Sequence, residues 1–318
     1  MNHSGDNGCA LFMCRTPLQA KICYAIIHKK SINNFDVVYF SQNDSVSDRF
    51  YFNLIKEKSR NSLYLYVKKK KVDIFNHLVS IFKFSRIWKH SDYTSLYIAS
   101  IDSFLFRYIV KKSIGARLFG FDDGAANFSK FGHYHNFSLY KKANIYSKIL
   151  RLPTVKSVRK NIFRHYSIYE GFENIVPCEN VRWLDVFDFG SVNESESMDT
   201  ITFFVGQPFS EYLTTDEIKA LREWIDKQKI DFYIKHPREA VPIASSINIL
   251  NSNGLLAEDL ISKTSKGRYP IVIAGYSSVL FNLPRENVQK IYLSIKKDVS
   301  EEDRVSLIKK SGCLVVNV

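Results

Sequence analysis

The feature that most constrains this chain is an alternation of short apolar runs with amphipathic helical stretches. It proceeds once, lapses into a polar segment, and starts again. Cys9 to Cys14, Phe35 to Ser41, Leu63 to Val67, Leu96 to Ser100 and Arg117 to Phe121 read as strands. Helices are predicted after Thr16-Pro17, from Asp48 to Lys58, from Asp73 to Phe84 and from Ser103 to Lys112. Thr16 has the hydroxyl to cap the first of these, and Pro17 suits its first position. Strands joined through helices call for a parallel, doubly wound sheet. Lys141 to Lys160 is basic and mixed, while Tyr166 to Glu170 and Arg182 to Leu184 read as short strand pieces. Asp185 to Thr200 is polar and rich in Ser, Asn and Glu, which places a linker there and domains at 1–185 and 186–318. The pattern resumes with the strand Ile201 to Val205 and a helix opened by the capping box Thr214 and Glu217. Phe232 to Ile234, Ile247 to Leu250, Ile271 to Ala274, Ile291 to Ser294 and Cys313 to Val316 follow as strands, with a helix from Glu258. The expected class is α/β, as two Rossmann-like domains facing a central cleft. Nucleotide-sugar enzymes have that form, and so do many binding proteins.

Charge narrows the partners. The net charge of +13, from 45 basic and 32 acidic residues, favours nucleic acid, an acidic membrane face or phosphorylated substrates. No nucleic-acid recognition motif is present. The run Lys68 to Lys71 reads as a solvated face or as a contact with an acidic membrane surface. Cys9, Cys14, Cys23, Cys178 and Cys313 show no metal-ligand spacing and read as free thiols of a reducing compartment. His133 and His135 have no third ligand at useful spacing, so no metal is expected. The polar start Met1 to Asp6 does not resemble a signal peptide, and no run of about 18 apolar residues occurs. A cytoplasmic chain, at most peripheral to a membrane, is expected; a homodimer is compatible with the sequence.

The most informative polar stretch is Lys235-His236-Pro237-Arg238-Glu239, directly after the strand Phe232 to Ile234. Ligands bind at strand ends of open α/β sheets, so cations and an imidazole there suit chemistry on an anion. A solvated loop of mixed charge is the plainer alternative. Asp122-Asp123-Gly124 also follows a strand; adjacent carboxylates raise one another's pKa, as a general base needs, although a simple turn has the same residues. Gly206-Gln207-Pro208 reads as a loop shaped for close ligand approach, with Glu211 beyond it a second candidate base. Tyr276-Ser277-Ser278 has the hydroxyls, and a following helix start, to hold a phosphate, without the P-loop pattern. Glu258-Asp259 opens a helix, where carboxylates are favourable in any case; facing a ribose is the sharper reading.

Taken in order, several of these stretches resemble the bacterial lipooligosaccharide-type sialyltransferases, glycosyltransferase family 52. The matching segments are Thr16-Pro17-Leu18-Gln19, Tyr97 to Ser100, Phe121 to Asn127, His165 to Tyr169, Gly206-Gln207-Pro208, His236-Pro237-Arg238 and Glu258-Asp259. The resemblance implies a GT-B fold, a CMP-sialic acid donor, inversion at the anomeric carbon, an α2,3 linkage to a terminal galactose-type residue of a lipopolysaccharide, O-antigen or capsule precursor, and no metal or other cofactor. It places His236 beside the donor phosphate, as general acid or as stabiliser of departing CMP, with Lys235 or Arg238 nearby. It sets Glu258 at the ribose and Tyr276-Ser277-Ser278 at the phosphate. Some members have an Asp just after the glycine-x-proline loop, where this chain has Phe209-Ser210-Glu211, so the base stays divided between Asp122 or Asp123 and Glu211. The alternatives are a same-fold transferase using another nucleotide sugar, and a non-catalytic binding protein.

Overall fold

The computed structural model describes residues 8–67, 79, 81–82, 84–85, 93–124, 127–128, 134, 144–190, 199–239, 242–244, 246–295 and 301–318. Lys68 to Lys71, His133, His135, most of the helix expected over 73–84 and residues 191–198 of the expected linker lie outside the described residues. The chain divides into two compact units, Met1–Val186 and Phe187–Val318.

The first unit opens with β1 (Cys9–Cys14), α1 (Pro17–Lys29), β2 (Phe35–Ser41), α2 (Val46–Lys56) and β3 (Asn61–Tyr66). It continues with β4 (Tyr93–Ile98), α3 (Phe104–Lys112), β5 (Arg117–Phe121), α4 (Asn144–Ile149), α5 (Val155–Lys160), β6 (Ile162–Ser167) and β7 (Val181–Trp183). The strand order is β3-β2-β1-β4-β5-β6-β7, with every pairing parallel. β1 and β2 are buried along their whole length, as strands covered on both faces must be, which is why they read as unbroken apolar runs. Rings of Phe12, Tyr97 and Phe119 stack across β1, β4 and β5 at 4.3 and 4.8 Å.

The second unit contains β8 (Thr200–Val205), α6 (Thr215–Asp226), β9 (Phe232–Ile234), β10 (Asn248–Leu250), α7 (Ala257–Thr264) and β11 (Tyr269–Ala274). α8 (Ser278–Asn282), β12 (Gln289–Ser294), α9 (Glu301–Lys310) and β13 (Leu314–Asn317) complete it. Its order, β10-β9-β8-β11-β12-β13, is again wholly parallel. Chain direction across each sheet reverses beside its first strand, between β1 and β4 and between β8 and β11. Those switch points leave a crevice at the carboxyl ends of the strands.

Local chemistry sets the element ends. Thr16 caps α1, its hydroxyl accepting from Gln19 N–H at 3.3 Å. Asp48, read from sequence as a helix start, is the third residue of α2 and forms a reciprocal capping box with Ser45. The expected box of Thr214 with Glu217 is present. The larger departure is β6, which begins at Ile162 rather than near Tyr166. Its apolar run is interrupted by Arg164 and His165, and His165 is nevertheless fully buried because Asp122 pairs with it. The basic stretch before it, which showed no clear period, holds the short helices α4 and α5. No helix among the described residues is long and apolar enough to cross a membrane.

Candidate active site

In the second unit, loops at the carboxyl ends of four neighbouring strands surround a pocket of about 580 Å³. Gly206-Gln207-Pro208 and Glu211 follow β8, Lys235 to Arg238 follow β9, and Gly275 to Ser278 follow β11; Tyr292, Glu301 and Arg304 lie at the β12 side. The loop after β9 is shaped from within. Glu239 is buried, accepts from the Tyr233 hydroxyl, and takes the His236 backbone N–H at 3.3 Å. Burial pushes its carboxyl above the usual range, against those hydrogen bonds. A Cβ on Gly206 would stand 2.4 Å from Glu239 Oε2 and 2.6 Å from the Tyr233 hydroxyl. A carboxylate packed behind the loop therefore requires glycine at this position.

Gln207 is likewise internal. Its Nε2 donates to the Tyr276 carbonyl at 2.8 Å and its Oε1 accepts from the Tyr212 hydroxyl at 2.7 Å. It ties the loop after β8 to the loop after β11. Pro208 and Pro237 line the wall beside these ties.

His236 is the pocket's imidazole. Its Nδ1 accepts the Arg238 backbone N–H at 3.1 Å, so the proton of the neutral ring is on Nε2. Burial, followed by the Arg238 guanidinium, holds its pKa below the ordinary value, with Glu211 pulling the other way. Glu211 and Arg238 pair at 2.9 Å with about half or more of each side chain exposed, so the pair is weak and the carboxylate stays accessible. Lys235 is exposed on the same wall. Ser277 caps α8, its hydroxyl oxygen accepting from Val279 N–H at 3.3 Å, and Ser278 lies beside it on the pocket wall. Tyr276 is partly exposed and packs edge-on against Phe281 and Tyr292. Glu258 departs from expectation: it is buried, accepts from Asn282 Nδ2 at 2.6 Å, and burial pushes its pKa up. Its neighbour Ala257 lines the pocket and Glu258 does not.

The first unit gathers a separate carboxylate cluster at the ends of β1, β4 and β5. The two adjacent aspartates diverge. Asp122 is fully buried and accepts from His165 Nε2 (2.9 Å), Ser167 Oγ (2.7 Å) and Ile168 N–H (2.7 Å). A carboxylate so enclosed holds β5 to β6, which corrects its reading as a general base. Asp123 is partly exposed and accepts from Gln19 Nε2, Ser100 Oγ (2.9 Å) and the Tyr134 hydroxyl. Tyr134 also reaches Asp102 at 3.3 Å, whose carboxyl is pushed up by burial, with the Arg15 charge opposing and the Asp123 charge adding. Gln19 is buried and also accepts from the Arg15 backbone N–H at 2.7 Å, so like Gln207 it is a latch between strand ends. Among the described residues, no group of three or more His, Cys, Asp or Glu side chains is arranged to hold a metal ion.

The model of glycosyltransferase family 52 matches residues 32–298. The chain belongs to glycosyltransferase family 52. It is similar to the N-acetyllactosaminide alpha-2,3-sialyltransferase of Haemophilus influenzae, 26% identical over 295 residues, covering 90% of this chain and 93% of that protein. The CMP-N-acetylneuraminate:beta-galactoside alpha-2,3-sialyltransferase of Pasteurella multocida is 25% identical, over 97% of this chain and 99% of the relative. Among solved structures, a UDP-glucosyltransferase from Polygonum tinctorium superposes with a TM-score of 0.54 at 11% identity, covering 97% of this chain and 84% of that one. The UDP-GlcNAc 2-epimerase from Neisseria meningitidis gives 0.52 at 10% identity, over 94% and 85%. These two likenesses show the fold, which is of GT-B type with two parallel α/β units.

In this family 52 chain, the structure brings His236, Glu211, Lys235, Arg238, Ser277 and Ser278 to one pocket. It adds Tyr212, Tyr292, Glu301 and Arg304, which the sequence argument passed over. Glu301 and Arg304 carried no usable signal, because acidic residues in a helix's first turn are common for electrostatic reasons alone.

Proposed function

We propose that the chain is a CMP-sialic acid-dependent sialyltransferase. It forms an α2,3 linkage to a terminal galactose-type residue of a lipopolysaccharide, O-antigen or capsule precursor, with inversion and without a metal. Family membership and the names of relatives aligned over nearly the whole chain support the donor and the reaction. The observation that carries the mechanism is His236, its tautomer set by Arg238, on the wall that also bears Ser277 and Ser278. The second unit would hold the donor, and the first, with Asp123 and its donors, the acceptor.

Departure of CMP leaves an oxocarbenium-like centre and builds charge on phosphate. A phosphate monoester has its second pKa near about 6, so near neutral pH the leaving group needs hydrogen-bond donors more than a proton. His236 Nε2–H and the Ser277 and Ser278 hydroxyls would supply them, with Lys235 and Arg238 adding positive charge. Ser277 accepts with its oxygen from Val279, which keeps its O–H for donation. Glu211, in the same pocket and loosely paired, would take the proton of the attacking hydroxyl. Of the two roles that the family resemblance offers His236, a neutral imidazole donor takes that of stabiliser.

The test is incubation of the purified chain with a labelled galactoside and either CMP-sialic acid or UDP-sugars, in excess chelator, with the linkage assigned by NMR. Transfer of sialic acid in α2,3 linkage is expected, undiminished by chelator. Transfer from a UDP-sugar alone would overturn the reading.

A further inference from the structure

On its β12 side the pocket ends in a cluster to which the chemistry above gives no task. Glu301, the first residue of α9, accepts at Oε1 from the Tyr292 hydroxyl (3.0 Å) and from Ser294 Oγ. Its Oε2 takes both Nε (2.9 Å) and Nη2 (2.6 Å) of Arg304, one turn along. Only 12% of the Glu301 side chain and 22% of the Arg304 side chain is exposed. A pair so far removed from water is an expensive way to finish a wall, because apolar side chains of similar size are often as stabilising or more so. The wall around it is otherwise largely apolar, with Leu293 and Ile295 beside Tyr292. A few placed polar groups in an apolar pocket are the usual means of orienting a ligand.

The charges of the pair sum to zero, so it offers little to an anion; a ligand carboxylate would meet Glu301 as well as Arg304. Both Glu301 oxygens are taken up by Tyr292, Ser294 and Arg304, so the pair meets the pocket through the Arg304 guanidinium, whose charge Glu301 offsets. A donor so offset suits the oxygen of a neutral hydroxyl group. Tyr276 lies between the pair and the Ser277-Ser278 turn: its ring meets that of Tyr292 at 6.4 Å, and the Arg304 charge reaches it.

We propose that the Glu301–Arg304 pair is a specificity contact for the hydroxyl-bearing end of the donor sugar, the trihydroxypropyl side chain of sialic acid. The inference rests on the sialyltransferase reading. In the donor that side chain projects three carbons beyond the sugar ring. With the phosphate at the Ser277-Ser278 turn, its hydroxyls extend past Tyr276 to the pair.

Calorimetric binding to the full chain tests this with three probes: CMP, a non-hydrolysable fluorinated CMP-sialic acid, and the same donor with its side chain shortened by periodate oxidation and reduction. The proteins compared are the wild type, Arg304→Met, and the double variant Glu301→Gln/Arg304→Met, which leaves no buried charge unpaired. CMP should bind all three alike. The intact donor should bind both variants about 10- to 100-fold more weakly than wild type, the cost of a lost charge-assisted hydrogen bond. The wild type should lose a similar factor on the shortened donor, and the variants should scarcely tell the two donors apart. Equal losses for CMP and donor, or a wild type indifferent to shortening, would overturn the proposal. The wild-type comparison decides even where a variant fails to fold. Absence of any CMP binding by wild type would instead bring down the sialyltransferase reading itself.

Discussion

Replacement of His236 separates two mechanisms that predict opposite pH behaviour. Arg238 N–H donates to Nδ1 at 3.1 Å, a bond that only an unprotonated Nδ1 accepts, and burial with the adjacent guanidinium lowers the ring's pKa. The free enzyme at pH 7 therefore has a neutral ring with its proton on Nε2. Loss of one such donor to developing charge costs roughly 10²–10³ in kcat, or about 2.7–4 kcal/mol. His236→Ala should lose that factor, and His236→Gln, whose amide N–H falls near the Nε2 position, should recover part of it. kcat/KM reports ionisations of the free enzyme. It should be level from pH 7 upward and fall on acidification below the ordinary histidine range, as the ring gains its second proton and Nδ1 stops accepting. Initial rates of CMP release between pH 5 and 8.5, for wild type and both variants, make the measurement. A kcat/KM that declines as pH rises from 6 to 8, with the decline absent in His236→Gln, would refute the neutral donor and restore a cationic acid.

Three further outcomes are expected. Gly206→Ala forces a methyl against Glu239 and Tyr233, and should destabilise the second unit by about 1–3 kcal/mol; urea unfolding followed through Trp224 reads this, and an unmoved midpoint would show that the loop yields freely. Asp122→Asn disturbs the buried hydrogen bonds with His165, Ser167 and the Ile168 N–H and should cost the first unit about 1–3 kcal/mol. Loss of activity from that variant with unchanged unfolding would return Asp122 to catalysis. Glu211→Gln should reduce turnover by roughly 10²–10⁴ with donor affinity nearly kept; full activity in that variant would move the base to Asp123.

The strand at Phe232 to Ile234 and the polar run after it were legible because both depend on local order: an apolar segment, then a proline that ends it. β6 was misplaced because His165 looks solvated until Asp122, more than forty residues earlier, is seen to pair with it. Thr16 as a cap could be read directly, but Gln19 three residues on could not be recognised as a latch, since its partners are Ser100 and Asp123.

The sequence by itself determined that this chain forms two parallel α/β units and that its polar loops fall at strand ends. Both follow from periodicity and breakers, which act over a few residues. Only the tertiary structure decided what each polar side chain does there. Asp122, Gln19, Glu239 and Glu258 are consumed by internal partners, whereas His236, Glu211, Ser277 and Ser278 line a pocket. Burial and hydrogen-bond saturation belong to contacts made across the sheet, and neighbours in sequence such as Asp122 and Asp123 can differ in how far they are closed off from solvent.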